Sequence, residues 1–188
     1  FGIYVFDKKK SHNIYFEEID CENSNDNINF DVFIKFIEKN IFKIEKLIGK
    51  FINNVSLIVE NNKIFNLNFC IKKKNYEKYV SLSHIENILT EAKDLFKENY
   101  QDQVILHMLL VKYFVDDKDY SFFFEELQGK NIRLEVKFIS ISQNISNILS
   151  KVLQKYQIKI VRFLDQNYIE NYFEDALSEL PEMIYRIK

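Results

Sequence analysis

Glycine is almost missing from this chain: Gly2, Gly49 and Gly129 are the only three in 188 residues, and they lie far apart. A phosphate cradle needs clustered glycines, so that backbone amides can close on the anion. The chain is therefore not expected to hold a nucleotide in a glycine loop. Cysteine is equally scarce. Cys21 and Cys70 cannot make a disulfide framework, and both read as packed thiols. His12, His84 and His107 fall on different predicted elements, with no spacing that suits a zinc site. Neither charge sign dominates: 26 basic and 28 acidic residues give a net charge of −2. No strong field is available to attract nucleic acid or an anionic membrane. No apolar run approaches the roughly 20 residues of a membrane span, and no signal peptide is visible. The cytoplasm is the expected compartment.

Aromatic and aliphatic residues are plentiful. With 47% hydrophobic residues, 18 Phe and 11 Tyr, the chain can bury a real core in one domain or two small ones. The wealth of Asn, Ile, Phe, Tyr and Lys reads as an AT-rich coding bias. The chain begins at Phe1, inside a strand-like run, and so reads as a piece of a longer protein.

The stretch 103–163 organises the rest. Residues 131–142 alternate: Ile132, Leu134, Val136 and Phe138 point one way, Arg133, Glu135 and Lys137 the other. That is a half-buried strand. The period then changes to a helix, with Ile145, Ile148, Leu149, Val152, Leu153 and Tyr156 in one stripe, and returns to a strand over 158–163. Upstream, 1–6 and 13–19 read as strands. Asp31 is placed as the cap of a helix that Gly49 ends. Residues 55–60 and 65–71 read as a hairpin about Asn61 and Asn62, and 72–80 as a linker. A helix follows from Ser81. The nearly all-apolar run 103–115 is placed at the centre of a sheet. A third helix then carries Ile169, Tyr172, Phe173, Ala176, Leu177 and Leu180, and Pro181 interrupts it or starts a further short helix.

No constellation makes a catalytic, cofactor or metal site. Asp116, Asp117 and Asp119 invite a calcium reading, but a loop started at Asp117 has Phe122 where an EF-hand needs Gly and Gln128 where it needs Glu. The lysine triplets at 8–10 and 72–74 are short and sit among carboxylates, which argues against nucleic acid even with Tyr76 and Tyr79 nearby. What remains is an acidic loop cluster, Asp116, Asp117, Asp119, Glu125 and Glu126, placed as a partner surface for a basic tail. A small enzyme built from scattered His and Asp residues is the alternative from another class, with His107 and a carboxylate as its natural centre.

The apolar run 104–116 reaching an aromatic, an aliphatic and an acid, then Gly129 leading into the alternating strand 131–140, resembles the FtsA family of actin-like cell-division scaffolds. The earlier order of strands and helices is similar to that family too. The resemblance implies an α/β (α+β) fold: residues 1–79 and 163–188 as parts of an actin-like, ribonuclease H-like subdomain 1A, and 80–162 as an inserted SHS2-type 1C subdomain. It implies a scaffold that links the FtsZ ring to the membrane and recruits later division proteins at the septum, this piece supplying contacts through 1C and self-association. FtsZ would bind through a second lobe, and the membrane through a C-terminal helix, neither of which is in this sequence. ATP with Mg would belong to the longer parent, at the inner face of the cell membrane, and not to these residues. An SHS2-bearing assembly protein of the type IV pilus PilM kind is the related alternative.

Overall fold

A computed structural model gives the fold. It describes residues 1–7, 12–20, 28–59, 64–76, 79–120 and 127–172. The chain is a mixed α/β fold of eight strands and four helices among those residues.

Strands β1 (Gly2–Asp7) and β2 (His12–Glu18) form an antiparallel hairpin. Helix α1 (Phe30–Ile48) follows. Its cap is Asn29, whose side chain accepts from the Val32 N–H at 3.2 Å, and not the expected Asp31. Asp31 instead sits in the first turn, where its charge suits the helix dipole. Gly49 ends the helix in the left-handed region at φ 70°, its N–H donating to the Glu45 carbonyl, as expected of a glycine at that place.

The expected hairpin of 55–60 and 65–71 does not form. Strand β3 (Asn54–Val59) pairs in parallel with β8 (Lys159–Asp165), while β4 (Phe65–Lys74) pairs antiparallel with β7 (Asn131–Ser142). The reason is face matching. Phe65, Leu67, Phe69 and Ile71 put alternate apolar residues on one side of β4, the pattern β7 offers. Strand β3 finds the equally apolar β8. The triplet Lys72, Lys73 and Lys74 completes β4 and is not a linker.

The main sheet has the order β4-β7-β5-β6, with β5 spanning Gln103–Val115 and β6 spanning Lys118–Tyr120. Strand β5 is interior, as expected, together with β7, but only β7 is flanked on both sides along most of its length. Beyond its pairing with β7, β5 pairs with β6 only over Tyr113–Val115, and Leu110 and Val111 are 41% and 54% exposed. Apolar content alone did not reveal this, because it cannot say whether the sheet continues past a strand. Helix α2 (Leu82–Asn99), capped by Ser81 as expected, lays Ile85, Ile88, Ala92 and Phe96 across Leu134, Val136 and Phe138. Phe96 and Phe138 stack with centroids 4.6 Å apart. This is the larger core. A second core joins α1, α3 (Gln143–Gln154), β3 and β8 around Phe33, Ile37, Leu149, Val152, Leu153 and Ile158. Tyr156 lies just past α3 and donates to Glu38 on α1 at 2.7 Å. Helix α4 (Gln166–Tyr172) covers part of the main sheet's other face. The expected helix positions from Phe173 onward, Pro181 and the Asn61 and Asn62 turn lie outside the described residues.

Gly129 is required for a steric reason. A Cβ there would come within 2.1 Å of Val115 Cγ1, and Val115 is itself buried. Gly129→Ala is expected to cost about 1–3 kcal/mol through overpacking. Phe138→Ala, which empties the centre of the larger core, is expected to cost about 3–5 kcal/mol. Urea unfolding of both variants tests this; losses under about 0.5 kcal/mol, the range of an ordinary surface change, would contradict the packing.

Candidate functional site

The acidic cluster divides when it is placed in the fold. Asp116 and Asp117, at φ 47° and 65°, are the two turn residues between β5 and β6, closed by the Val115–Lys118 pair. Asp tolerates that left-handed conformation better than most residues. The Asp116 carboxylate is occupied by its own chain. It accepts from the Lys130 N–H at 3.0 Å and the Asn131 N–H at 2.9 Å, so it holds the entry to β7. Those backbone bonds keep its pKa below the usual carboxylate value. Asp117 and Asp119 are exposed on the same tight hairpin. Glu125 and Glu126 lie outside the described residues.

His107 lies buried in β5, facing β8 and α4. Its Nε2 accepts the Asp165 backbone N–H at 2.9 Å, which puts the ring proton on Nδ1 and leaves the ring neutral. The ring stacks on Tyr168 at 4.0 Å. Asp165 ends β8 just before α4, its Oδ2 accepting from the Tyr168 N–H at 2.9 Å, while Oδ1 is buried without a hydrogen-bond partner. His107 therefore bonds main chain, not carboxylate, and ties the main sheet to β8. Burial holds its pKa down to about 4.

A cleft of about 330 Å³ separates the end of β2 from α1, between Glu17, Ile19, Lys35 and Phe36. Its central carboxylate, Glu17, is paired. Glu17 takes Lys39 at 2.8 Å and Lys43 at 3.4 Å, and the Lys39 bond does most to lower its pKa to about 2. The Tyr15 hydroxyl lies 2.6 Å from both Glu17 and the buried Asn40, so its one proton serves two acceptors. Burial chiefly, then Glu17, pushes the Tyr15 pKa up to about 12.

The feature missed in the sequence is the outer face of the main sheet. Register places Lys72, Arg133 and Phe114 in one row, and Cys70, Glu135 and Lys112 in the next. Lys74 and Lys137 extend the same face. Arg133 lies over the Phe114 ring at 3.8 Å. These cations come from three strands far apart in sequence, so only the pairing of β4, β7 and β5 reveals them. The signal that existed was the Arg133, Glu135, Lys137 alternation, together with the triplet at 72–74.

Among the described residues no group of His, Cys, Asp and Glu side chains could hold a metal ion. No helix there is long and apolar enough to cross a membrane.

No protein-family profile matches the chain. It is similar to Trigger factor of Buchnera aphidicola subsp. Schizaphis graminum (strain Sg), 22% identical over 184 residues. The match covers 82% of this chain and 40% of that protein, so the chain spans well under half of its relative's length. This overturns the resemblance to FtsA, since the similarity found leads to a different family. The FtsA pattern rested on element order and apolar spacing, which unrelated α/β chains rich in Ile and Phe can share.

His107 has a pH signature. Its folded pKa is below the unfolded value of 6.5, so the unfolded chain binds the extra proton first. Its contribution to stability is complete above pH 6.5 and is lost as pH falls toward about 4. The expected loss is on the order of 2 kcal/mol. Urea unfolding from pH 7 to 4 should show a steeper fall for the parent than for His107→Gln, and parallel curves would contradict the buried neutral ring. Asp116→Ala should lower the melting temperature at pH 7, and the difference should shrink below pH 3.8 as the parent's carboxylate is protonated.

Proposed function

We propose that this chain is a non-catalytic protein-docking module that associates with a second copy of itself through the outer edge of β3. One observation carries the reading. Among the described residues strand β3 pairs with β8 alone, in parallel, and Ile58 on β3 and Val161 at the irregularity of β8 are 47% and 50% exposed. Parallel sheets are almost always covered on both faces. Edge strands that stay monomeric carry charges, proline or bulges on the edge. The strand Asn54–Val59 reads NVSLIV and has no charge and no proline. Two such strands related by a two-fold axis meet without like-charge opposition and extend the sheet across the pair.

Other observations support contact as the activity. The chain's likeness is to Trigger factor, a chaperone. Tyr4 and Phe16 pair across the β1–β2 hairpin with both rings exposed. The three glycines sit in β1, at the end of α1 and before β7, which favours a module without a nucleotide of its own. The order is β4, α2, β5, β6, β7; setting aside the three-residue β6, it is strand-helix-strand-strand, and we retain an SHS2-type reading for this unit. The expected division at residues 79 and 80 falls between β4 and the strands it joins, so the proposed unit runs from β4 to β7. We assign it to the cytoplasm, where the exposed Cys70 stays a thiol.

Sedimentation equilibrium tests the proposal. The parent chain is expected to dimerise with rising concentration, and the Ser56→Lys/Ile58→Lys double variant to remain monomeric with an unchanged circular dichroism spectrum. A parent that stays monomeric at high concentration, or a double variant that still dimerises, would contradict it.

A further inference from the structure

The main sheet is covered unequally on its outer face. Around His107, Leu109 and Ile139 it lies under α4 and Tyr168. Over the other half no described element lies on the face, which carries Lys72, Lys74, Lys112, Arg133 and Lys137 against, among the described residues, the carboxylate of Glu135, with Asp119 at the β6 margin. No ion pair joins any of these five cations to a carboxylate among the described residues, although Lys73, on the opposite face, has Glu91 at 2.6 Å. Lys72 and Arg133 stand directly opposite each other on neighbouring strands, an arrangement that destabilises a sheet. The Arg133 Nε is buried with no hydrogen-bond partner, and the guanidinium rests on Phe114 instead. A face this poor in counter-charge is suited to an anionic partner.

The edge beside it identifies the partner's form. Strand β4 ends the sheet, and no described strand pairs with its far side. Its ten residues leave alternate N–H and C=O groups for a further strand. A strand added there would set alternate side chains beside Lys72 and Lys74 on the outer face, and beside Phe69 and Ile71 on the α2 face. We propose that β4 and the open cationic half-face take an extended acidic segment of another protein, with carboxylates two residues apart and apolar residues on the opposite side. Glu135, in the middle of the patch, favours spaced carboxylates over an unbroken polyphosphate. The surface lies on a different sheet from the β3 edge, so its test is independent of the self-association reading.

The experiment is an anisotropy titration with a fluorescein-labelled peptide of about a dozen residues alternating Glu with Val and Thr. Saturable, salt-sensitive binding is expected. Lys72→Glu/Lys74→Glu should weaken it about tenfold or more, because charge reversal replaces attraction with repulsion. Lys155→Glu, on the far side of the chain beyond α3, should leave it unchanged. A copy of the peptide with alternate backbone amides N-methylated keeps every charge and loses the strand hydrogen bonds; it should bind poorly. Equal binding of the methylated peptide would overturn strand addition. Absence of binding, insensitivity to the Lys72 and Lys74 reversals in a folded variant, or preferential binding of an oligouridine RNA would overturn the acidic-polypeptide assignment.

Discussion

The strict alternation of β7 is the constraint from which the rest of the molecule follows. Ile132, Leu134, Val136 and Phe138 are all at most 1% exposed, and they admit only one side of the strand to the core. Helix α2 must cover that side. A strand joining β7 must carry its own apolar residues on the same side, which selects β4 through Phe65, Leu67, Phe69 and Ile71. Slipping the pairing by one residue would turn this whole set outward, so register is heavily specified. The same register fixes what faces away. Arg133, Glu135 and Lys137 are on the outer face because their neighbours in sequence are in the core.

The second core depends on a different geometry. Helix α3 leaves β7 and returns as β8, which pairs in parallel with β3, more than a hundred residues earlier in the chain. Helices α1 and α3 fill one side of that pair through Phe33, Ile37, Leu149 and Val152. On the other side Leu164 is buried while its neighbour Ile58 is half exposed, and no described strand pairs with the far edge of β3. His107 links the two regions: its ring is on the main sheet and its hydrogen bond is to Asp165, the last residue of β8, just before α4. A neutral, dry histidine is suited to that link because it can accept a main-chain N–H inside a low-dielectric core without bringing in a charge.

Much of the architecture was legible before any coordinates. The faces of β7, the stripe of α3, the Ser81 cap and the Gly49 stop were plain from local pattern, because each depends on residues within a few positions. What was not legible depended on partners distant in the chain. Strand β5 looks central from composition, since Val104 to Val115 is nearly all apolar, and it is interior in the sheet, yet β6 flanks it only over Tyr113–Val115. Strands β3 and β4 look like a hairpin because they are adjacent and apolar, yet they belong to different sheets. The same limit applied to the site. Asp116, Asp117 and Asp119 look like one cluster because they are neighbours in sequence, yet Asp116 serves the backbone at Lys130 and Asn131. The cationic face was hidden because Lys72, Lys112 and Arg133 meet only across three paired strands. The FtsA resemblance failed for a related reason, as order and spacing describe many α/β chains.

The register of the central sheet is the claim on which both surfaces rest. Nuclear Overhauser contacts between backbone protons of β4 and β7 measure it directly. Contacts joining Lys72 to Arg133 and Cys70 to Glu135 are predicted. Contacts displaced by one residue, with Lys73 opposite Arg133, would put the charged row on the α2 side and contradict the account.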